Sequence, residues 1–248
     1  MRTAQDFIVE IPVLKPTDQI TKARQILRDD RFREVYVADA KKGLLSYIDI
    51  TDGLRVTATR SNVTVEGFIR DAPAAGPSDT IETAARAMRQ FHTDSAAIVD
   101  AKRHVIGGAL LADLFPVIIS RNELDGPVSR VVSKKVLSAD PSDELRKVYT
   151  PIMDSGFAAF PVVEKKLIGV ISRRDLISHA RARAVIAQHG HTPVKDVMIG
   201  DVVTIGPDEP VSAAAERIVK HDVRLLPVID RDRIVGVINR HDVLTSLG

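Results

Sequence analysis

Four aspartates, Asp52, Asp113, Asp175 and Asp242, recur at intervals of 61, 62 and 67 residues, each closing a stretch of similar character. Three positions before them stand Asp49, Leu110, Ser172 and Asn239. An ionised carboxylate only accepts hydrogen bonds, whereas a hydroxyl or amide both donates and accepts, so Ser172 with Asp175 and Asn239 with Asp242 are polar pairs suited to one another. The simplest chemistry for such an Asp is a helix start, where it accepts backbone N–H groups and complements the dipole. Arg173, Arg174 and Arg240 beside the motif read as a solvated face before they read as phosphate ligands. His179, His189 and His191 flank a basic linker containing Arg181 and Arg183; their spacing fits no regular metal site, so they read as an exposed connection.

Several functions are disfavoured by what the chain lacks. Cysteine is absent, which removes disulfides, thiol catalysis and thiolate zinc sites together. No phosphate-binding glycine loop, metal cluster or nucleophile-base arrangement is visible, so the chain does not read as an enzyme. Aromatic residues make up 4% and Trp is missing, which leaves few platforms for stacking single-stranded bases. A net charge of +2 falls short of the concentrated field that nucleic-acid binding uses. With no basic start followed by a long apolar run, and no stretch near the ~20 apolar residues of a membrane span, a cytoplasmic protein is expected.

The elements that position these residues repeat. Leu226 to Leu244 (LPVIDRDRIVGVINRHDVL) matches Phe160 to Ile177 (FPVVEKKLIGVISRRDLI) nearly residue for residue, with fainter copies at Ala96 to Phe115 and Val35 to Leu54. Duplication of one unit explains the pattern. Within a unit, a short β-branched run such as Val202 to Ile205 reads as a strand, broken by Gly206-Pro207-Asp208. Then come apolar positions at helical spacing: Val211, Ala214, Ala215, Ile218 and Val219 in the fourth copy, and Ile81, Ala84, Ala85, Met88 and Phe91 in the second. In the third, Leu145, Val148, Tyr149, Ile152 and Met153 keep the period, but Pro151 predicts a kink or early break. Two apolar runs of hairpin spacing follow, and a short helix closes the unit at the repeated Asp. One unit of roughly 55 residues cannot bury both faces of a three-stranded sheet, so units are expected in pairs.

The order strand, helix, strand, strand, helix, with apolar-Pro-Val-apolar-Asp followed by Gly-apolar-apolar-Ser/Thr-x-x-Asp, resembles the CBS domain family over almost the whole chain. Two CBS units make a Bateman module. Four in one polypeptide resemble the gamma subunit of AMP-activated protein kinase and its stand-alone prokaryotic relatives. The resemblance implies an α+β (α/β) fold of four β-α-β-β-α repeats in a pseudo-symmetric disc: units 1–58, 59–120, 121–180 and 181–248, paired as modules 1–120 and 121–248.

The resemblance also implies a site. In the family, adenosine ligands sit between paired units and the motif Asp holds the ribose hydroxyls, which maps to Ser172 with Asp175 and to Asn239 with Asp242. Leu110 and Asp49 weaken the equivalents at Asp113 and Asp52, since Leu cannot donate and Asp faces phosphate unfavourably. A family Thr or Ser three residues before the turn proline is met by Thr204 and Ser138, not by Ala74 or Val13. A basic residue ahead of the second strand, suited to phosphate, is met by Arg224 and Arg33, not by Ala158 or Ser95. Family geometry would join Thr204 and Arg224 to the Asp175 pocket, and Ser138 with the backbone near Ala158 and Ala159 to the Asp242 pocket. Asp52, Asp113 and Arg33 remain weaker candidates.

The expected function is a non-catalytic, energy-sensing regulatory protein that binds AMP, ADP or ATP as a regulatory ligand, chiefly in the second module, and acts on a protein partner or as a homodimer. The alternative is a ligand-independent scaffold or oligomerisation module with vestigial clefts.

Overall fold

The computed structural model describes residues 2–29, 31–56, 61–68, 70–155, 159–178 and 191–247, and the chain divides into two units, Met1–Ile118 and Ile119–Gly248. Each unit holds two copies of one arrangement. In the first copy the elements are β1 (Val13–Leu14), α1 (Ile20–Ile26), β2 (Glu34–Ala38), β3 (Leu44–Asp49) and α2 (Ile50–Arg55). The second has β4 (Ala74–Ala75), α3 (Ile81–Phe91), β5 (Ser95–Val99), β6 (Val105–Leu110) and α4 (Leu111–Ile119). The third has α5 (Leu145–Asp154), β7 (Ala159–Val163), β8 (Leu167–Ser172) and α6 (Arg173–Ser178). In the fourth are α7 (Val211–Lys220), β9 (Leu225–Asp230), β10 (Arg233–Asn239) and α8 (Arg240–Thr245).

In every copy the second and third strands form an antiparallel hairpin, and the first strand pairs parallel to the second. The first strand is shorter than its apolar run suggests. Val202 to Ile205 contributes a single bridge, Ile205 to Val228, and the third copy likewise has only Ala139 to Val162. The central strands β2 and β5 are buried at all five positions, as continuous apolar runs require.

Helix faces follow the sequence period. α3 buries Ile81, Ala84, Ala85 and Met88 behind an N-cap, Thr80, whose side chain accepts from the Thr83 amide. α7 buries Val211, Ala214, Ala215 and Ile218, whereas Val219 lies off that face and is exposed. α5 runs through Pro151 to Asp154 without the early break that proline predicts. An interior proline costs about 3 kcal/mol; burial of Leu145, Val148 and Ile152, each of which contributes about 1.5–3 kcal/mol, outweighs it.

Copies pair by exchanging the segment that precedes them. Each copy is led by a 3-10 turn: Ala4–Phe7, Val65–Phe68, Val128–Arg130 and Val194–Asp196. Five residues after each turn begins come Val9, Arg70, Ser133 and Ile199. Val9 bridges Gly108 on β6, Ser133 bridges Val237 on β10, and Ile199 bridges Val170 on β8. The lead-in of one copy therefore lies along the third strand of the other.

Glycine makes that approach possible. A Cβ on Gly169 would stand 2.9 Å from the Ile199 carbonyl oxygen, and one on Gly107 would stand 3.0 Å from the Val9 oxygen. One on Gly236 would overlap Val132 and stand 2.8 Å from the Ser133 oxygen. The corresponding residue of β3 is Ser46, fully buried. There a side chain replaces the backbone bridge: Ser46 Oγ accepts from the Arg70 amide at 2.9 Å and donates to the Phe68 carbonyl at 3.4 Å.

Candidate functional site

The repeated aspartates all fall in the first turn of the closing helix. In the fourth copy, Asn239 Oδ1 accepts from the amides of His241 (2.7 Å) and Asp242 (3.1 Å), and the Asn239 amide donates to Asp242 Oδ2 at 2.8 Å. This reciprocal capping box fixes the carboxylate at the strand-helix corner. Oδ1 of Asp242 takes no hydrogen bond among the described residues. Burial raises this carboxyl to about 6, against the lowering effect of the Asn239 amide and His241. The group is therefore desolvated and keeps acceptor capacity.

The third copy repeats the box with a hydroxyl. The Ser172 amide and Ser172 Oγ both donate to Asp175 Oδ2 at 2.7 Å, and the Asp175 amide approaches Ser172 Oγ at 3.3 Å. Both side chains are half-buried. Strand register sets Ala159 directly opposite Ser172, and Leu225, the residue after Arg224, opposite Asn239. Ala158 lies outside the described residues, as do His179, His189, Arg181 and Arg183. His191 is exposed and bonded to Glu144 at 2.8 Å. Among the described residues no group of three His, Asp or Glu could hold a metal ion.

The remaining second-unit candidates line the strands of their own copies. Thr204 is half-buried beside the Ile205 bridge, and its carbonyl accepts from Arg217 at 2.9 Å while Arg217 also holds Glu209. Arg224 is half-buried at the start of β9. Ser138 is exposed, next to the bridging Ala139.

The first unit differs at each equivalent corner. Asp113 is exposed, and Leu110 before it cannot close a box; the first amide of α4, on Leu111, donates instead to the Asp94 carbonyl at 2.7 Å. In the first copy Asp49 and Asp52 form a capping box through 3.0 Å bonds. Asp52 is only 2% exposed. The Arg70 guanidinium bonds Asp52, lies 3.2 Å from Asp49, and stacks 4.2 Å from the Tyr47 ring centre. Burial, then the Asp49 charge, push Asp52 up to about 6 even with arginine beside it.

Register also moves one assignment. Glu34, Ser95, Ala159 and Leu225 occupy one position, so the residue matching Arg33 and Arg224 in the second copy is Asp94, not Ser95. Arg33 itself is half-buried just ahead of β2. At the shared position Glu34 and Ser95 meet. Ser95 Oγ donates to Glu34 at 2.6 Å and lies 3.0 Å from the Tyr36 hydroxyl, while the Asp94 amide donates to Glu34 at 3.0 Å. Burial, then the Asp94 charge, raise Glu34 to about 8. The Asp94 and Ser95 donors satisfy one acceptor site on each Glu34 oxygen and oppose that rise. Glu34 and Arg70 lie outside the repeated motif; Ser46 stands at the motif's glycine position, in the row of Gly107, Gly169 and Gly236, and that place was its signal.

Comparison with known proteins agrees with this architecture. The CBS domain family matches residues 128–182 and 194–248. Over 98% of this chain and 97% of its own length, uncharacterized protein MJ1225 from Methanocaldococcus jannaschii is 24% identical. Its crystal structure, presented as that of a proposed archaeal homolog of g-AMPK, superposes with a TM-score of 0.84 at 21% identity over the whole of both chains. An uncharacterized conserved protein from Pyrococcus horikoshii superposes with a TM-score of 0.68 at 20% identity, again over both whole chains. The CBS domain-containing protein YhcV from Bacillus subtilis is 25% identical over 48% of this chain and 84% of its own.

Proposed function

We propose, from the match of residues 128–182 and 194–248 to the CBS domain family, that this chain is a non-catalytic regulatory protein that binds an adenosine nucleotide, AMP, ADP or ATP, in its second unit. The observation that carries this reading is the Asp242 carboxyl: fixed by its capping box, desolvated, and with Oδ1 not hydrogen-bonded among the described residues. A ribose offers two adjacent hydroxyl donors, and a carboxylate accepts both. Asp175 with Ser172 repeats the capping box in the third copy. Thr204 and Ser138 add hydroxyls, the backbone at Ala159 a polar edge, and Arg224 a planar fork suited to phosphate oxygens. Each pocket joins residues of both copies: Thr204 and Arg224 with Asp175, Ser138 with Asp242. The full-length likeness to MJ1225, a proposed homolog of g-AMPK, supports an energy-sensing role. A ligand that binds the closed pairing of two copies better than the open one shifts that equilibrium, which gives a protein partner or a second copy something to read.

Titration calorimetry with AMP, ADP and ATP tests the reading. At least one nucleotide binds, and Asp175→Ala or Asp242→Ala weakens it. Ligand at about 100 times its Kd adds about 2.7 kcal/mol to stability, visible as a raised Tm. Absence of heat and of Tm change with all three at millimolar concentration removes the proposal. Scaffolding without ligand is the second reading, and the Arg70–Asp52 pair favours it for the first unit.

A further inference from the structure

We infer that Arg70 is a tethered occupant of the first copy's site: its guanidinium holds Asp52 in place of a ligand's hydroxyl groups, closing that corner to adenosine compounds. The inference rests on the proposed function only in taking the motif Asp as the ligand-holding group.

Three observations carry it. First, Arg70 does not belong to the copy it closes. It stands at the lead-in position filled by Val9, Ser133 and Ile199 in the other copies, and none of those residues carries a cationic side chain. Second, it is held along its length. Ser46 Oγ fixes its amide at 2.9 Å, the Tyr47 ring lies against its guanidinium, and both Asp52 and Asp49 bind its Nη2. Third, one oxygen is occupied and the whole carboxyl is covered. Asp52 Oδ2 takes the Asp49 amide and Arg70, while Arg55 stands 3.8 Å from Oδ1. Asp52 is 2% exposed, whereas Asp175 and Asp242, the corners proposed to bind, are half-buried.

Charge explains why an arginine rather than a neutral side chain does this. Asp49 stands where the second unit has Ser172 and Asn239 and sets a second carboxyl beside Asp52, and one guanidinium satisfies both. The Ser46, Asp49 and Arg70 changes form one set. Ser46 orients the arginine, Asp49 supplies its second anchor, and Asp52 is the group removed from ligand access.

The test counts binding corners in the full chain. Adenosine and AMP are titrated into an Asp175→Ala/Asp242→Ala background, whose second unit is silenced, with and without Arg70→Met/Asp49→Asn, which removes one cation and one anion together. The opened variant is expected to bind adenosine at least tenfold more tightly than its background, and Asp52→Ala is expected to abolish the gain. No gain in an opened variant with unchanged circular dichroism overturns the inference. If the opened variant does not fold, the Arg70 side-chain 15N resonances of the unaltered protein decide. They remain unchanged to millimolar adenosine if Arg70 is a fixed occupant, and their displacement overturns it. Failure of the proposed function looks different: Asp175→Ala and Asp242→Ala would leave nucleotide binding to the unaltered protein unchanged, whatever happens at Asp52.

Discussion

Replacing Gly236 by alanine tests the exchange of lead-in segments that joins the copies of the second unit. The new methyl would overlap Val132 Cγ2 and stand 2.8 Å from the Ser133 carbonyl oxygen, and backbone cannot swing aside as a flexible side chain can. Relieving such overpacking costs about 1–3 kcal/mol. Moving the segment outward also stretches two hydrogen bonds, Ser133 amide to Val237 oxygen at 3.0 Å and Val237 amide to Ser133 oxygen at 3.1 Å. At about 0.5–1.5 kcal/mol each when lost, their partial weakening brings the total to roughly 2–4 kcal/mol. Native-state hydrogen exchange read by mass spectrometry on peptides covering 233–239 reports this locally, without assuming that a chain of two units unfolds in one step. At about 1.36 kcal/mol per decade, exchange in β10 speeds up by roughly 30-fold to 1,000-fold. Gly67→Ala is the control, because a Cβ there meets nothing within 4 Å. A change below about threefold in Gly236→Ala, comparable to the control, would refute the argument that glycine is selected by the closeness of the crossing segment.

Two further outcomes follow from buried polar groups of the first unit. Ser46→Ala removes the hydroxyl that serves the Arg70 amide and the Phe68 carbonyl; leaving buried backbone groups unpaired costs about 1–3 kcal/mol in a urea titration, and the loss should be absent from the second unit. Glu34 is raised from 4.5 to about 8 in the folded chain, so the folded state binds the extra proton between those values. Stability is then greatest on the acid side and falls as pH rises from about 5 to 8. Asp52 and Asp242, each raised to about 6, add to the same fall up to that pH. Glu34→Gln should flatten the slope in the urea midpoint between pH 6 and 8, and an unchanged slope would show that Glu34 is not its source.

Much of the fold is visible in the residues because it is repeated. Any copy shows the hairpin runs and the helix period, and four copies show that the closing Asp is part of a pattern. The motif corners were readable for the same reason, as a polar residue three positions before an aspartate is a local signal. What escaped is long-range or set by register. Val202 to Ile205 has the composition of a strand, yet only Ile205 is in place to pair. Pro151 carries a local penalty that three buried side chains override. Asp94 and Ser95 could be told apart only once β5 was aligned with β6. Arg70 lies 18 residues beyond Asp52, in a lead-in whose other copies carry Val9, Ser133 and Ile199 at the same place, and nothing near it in sequence announces the carboxylates it meets.

The crossed lead-ins also bear on how such a chain is cut, joined and inherited. The stretch ahead of the third copy completes the sheet of the fourth, and the stretch ahead of the fourth completes the sheet of the third. A lone copy would therefore present the naked outer edge of β8 or β10, with a glycine, Gly169 or Gly236, keeping a groove open for a segment the fragment does not possess. Any second molecule of the same fragment would carry a segment of the right shape, so the isolated piece invites strand trading between chains. The indivisible particle here is the pair, and lengthening by duplication has to proceed two copies at a time.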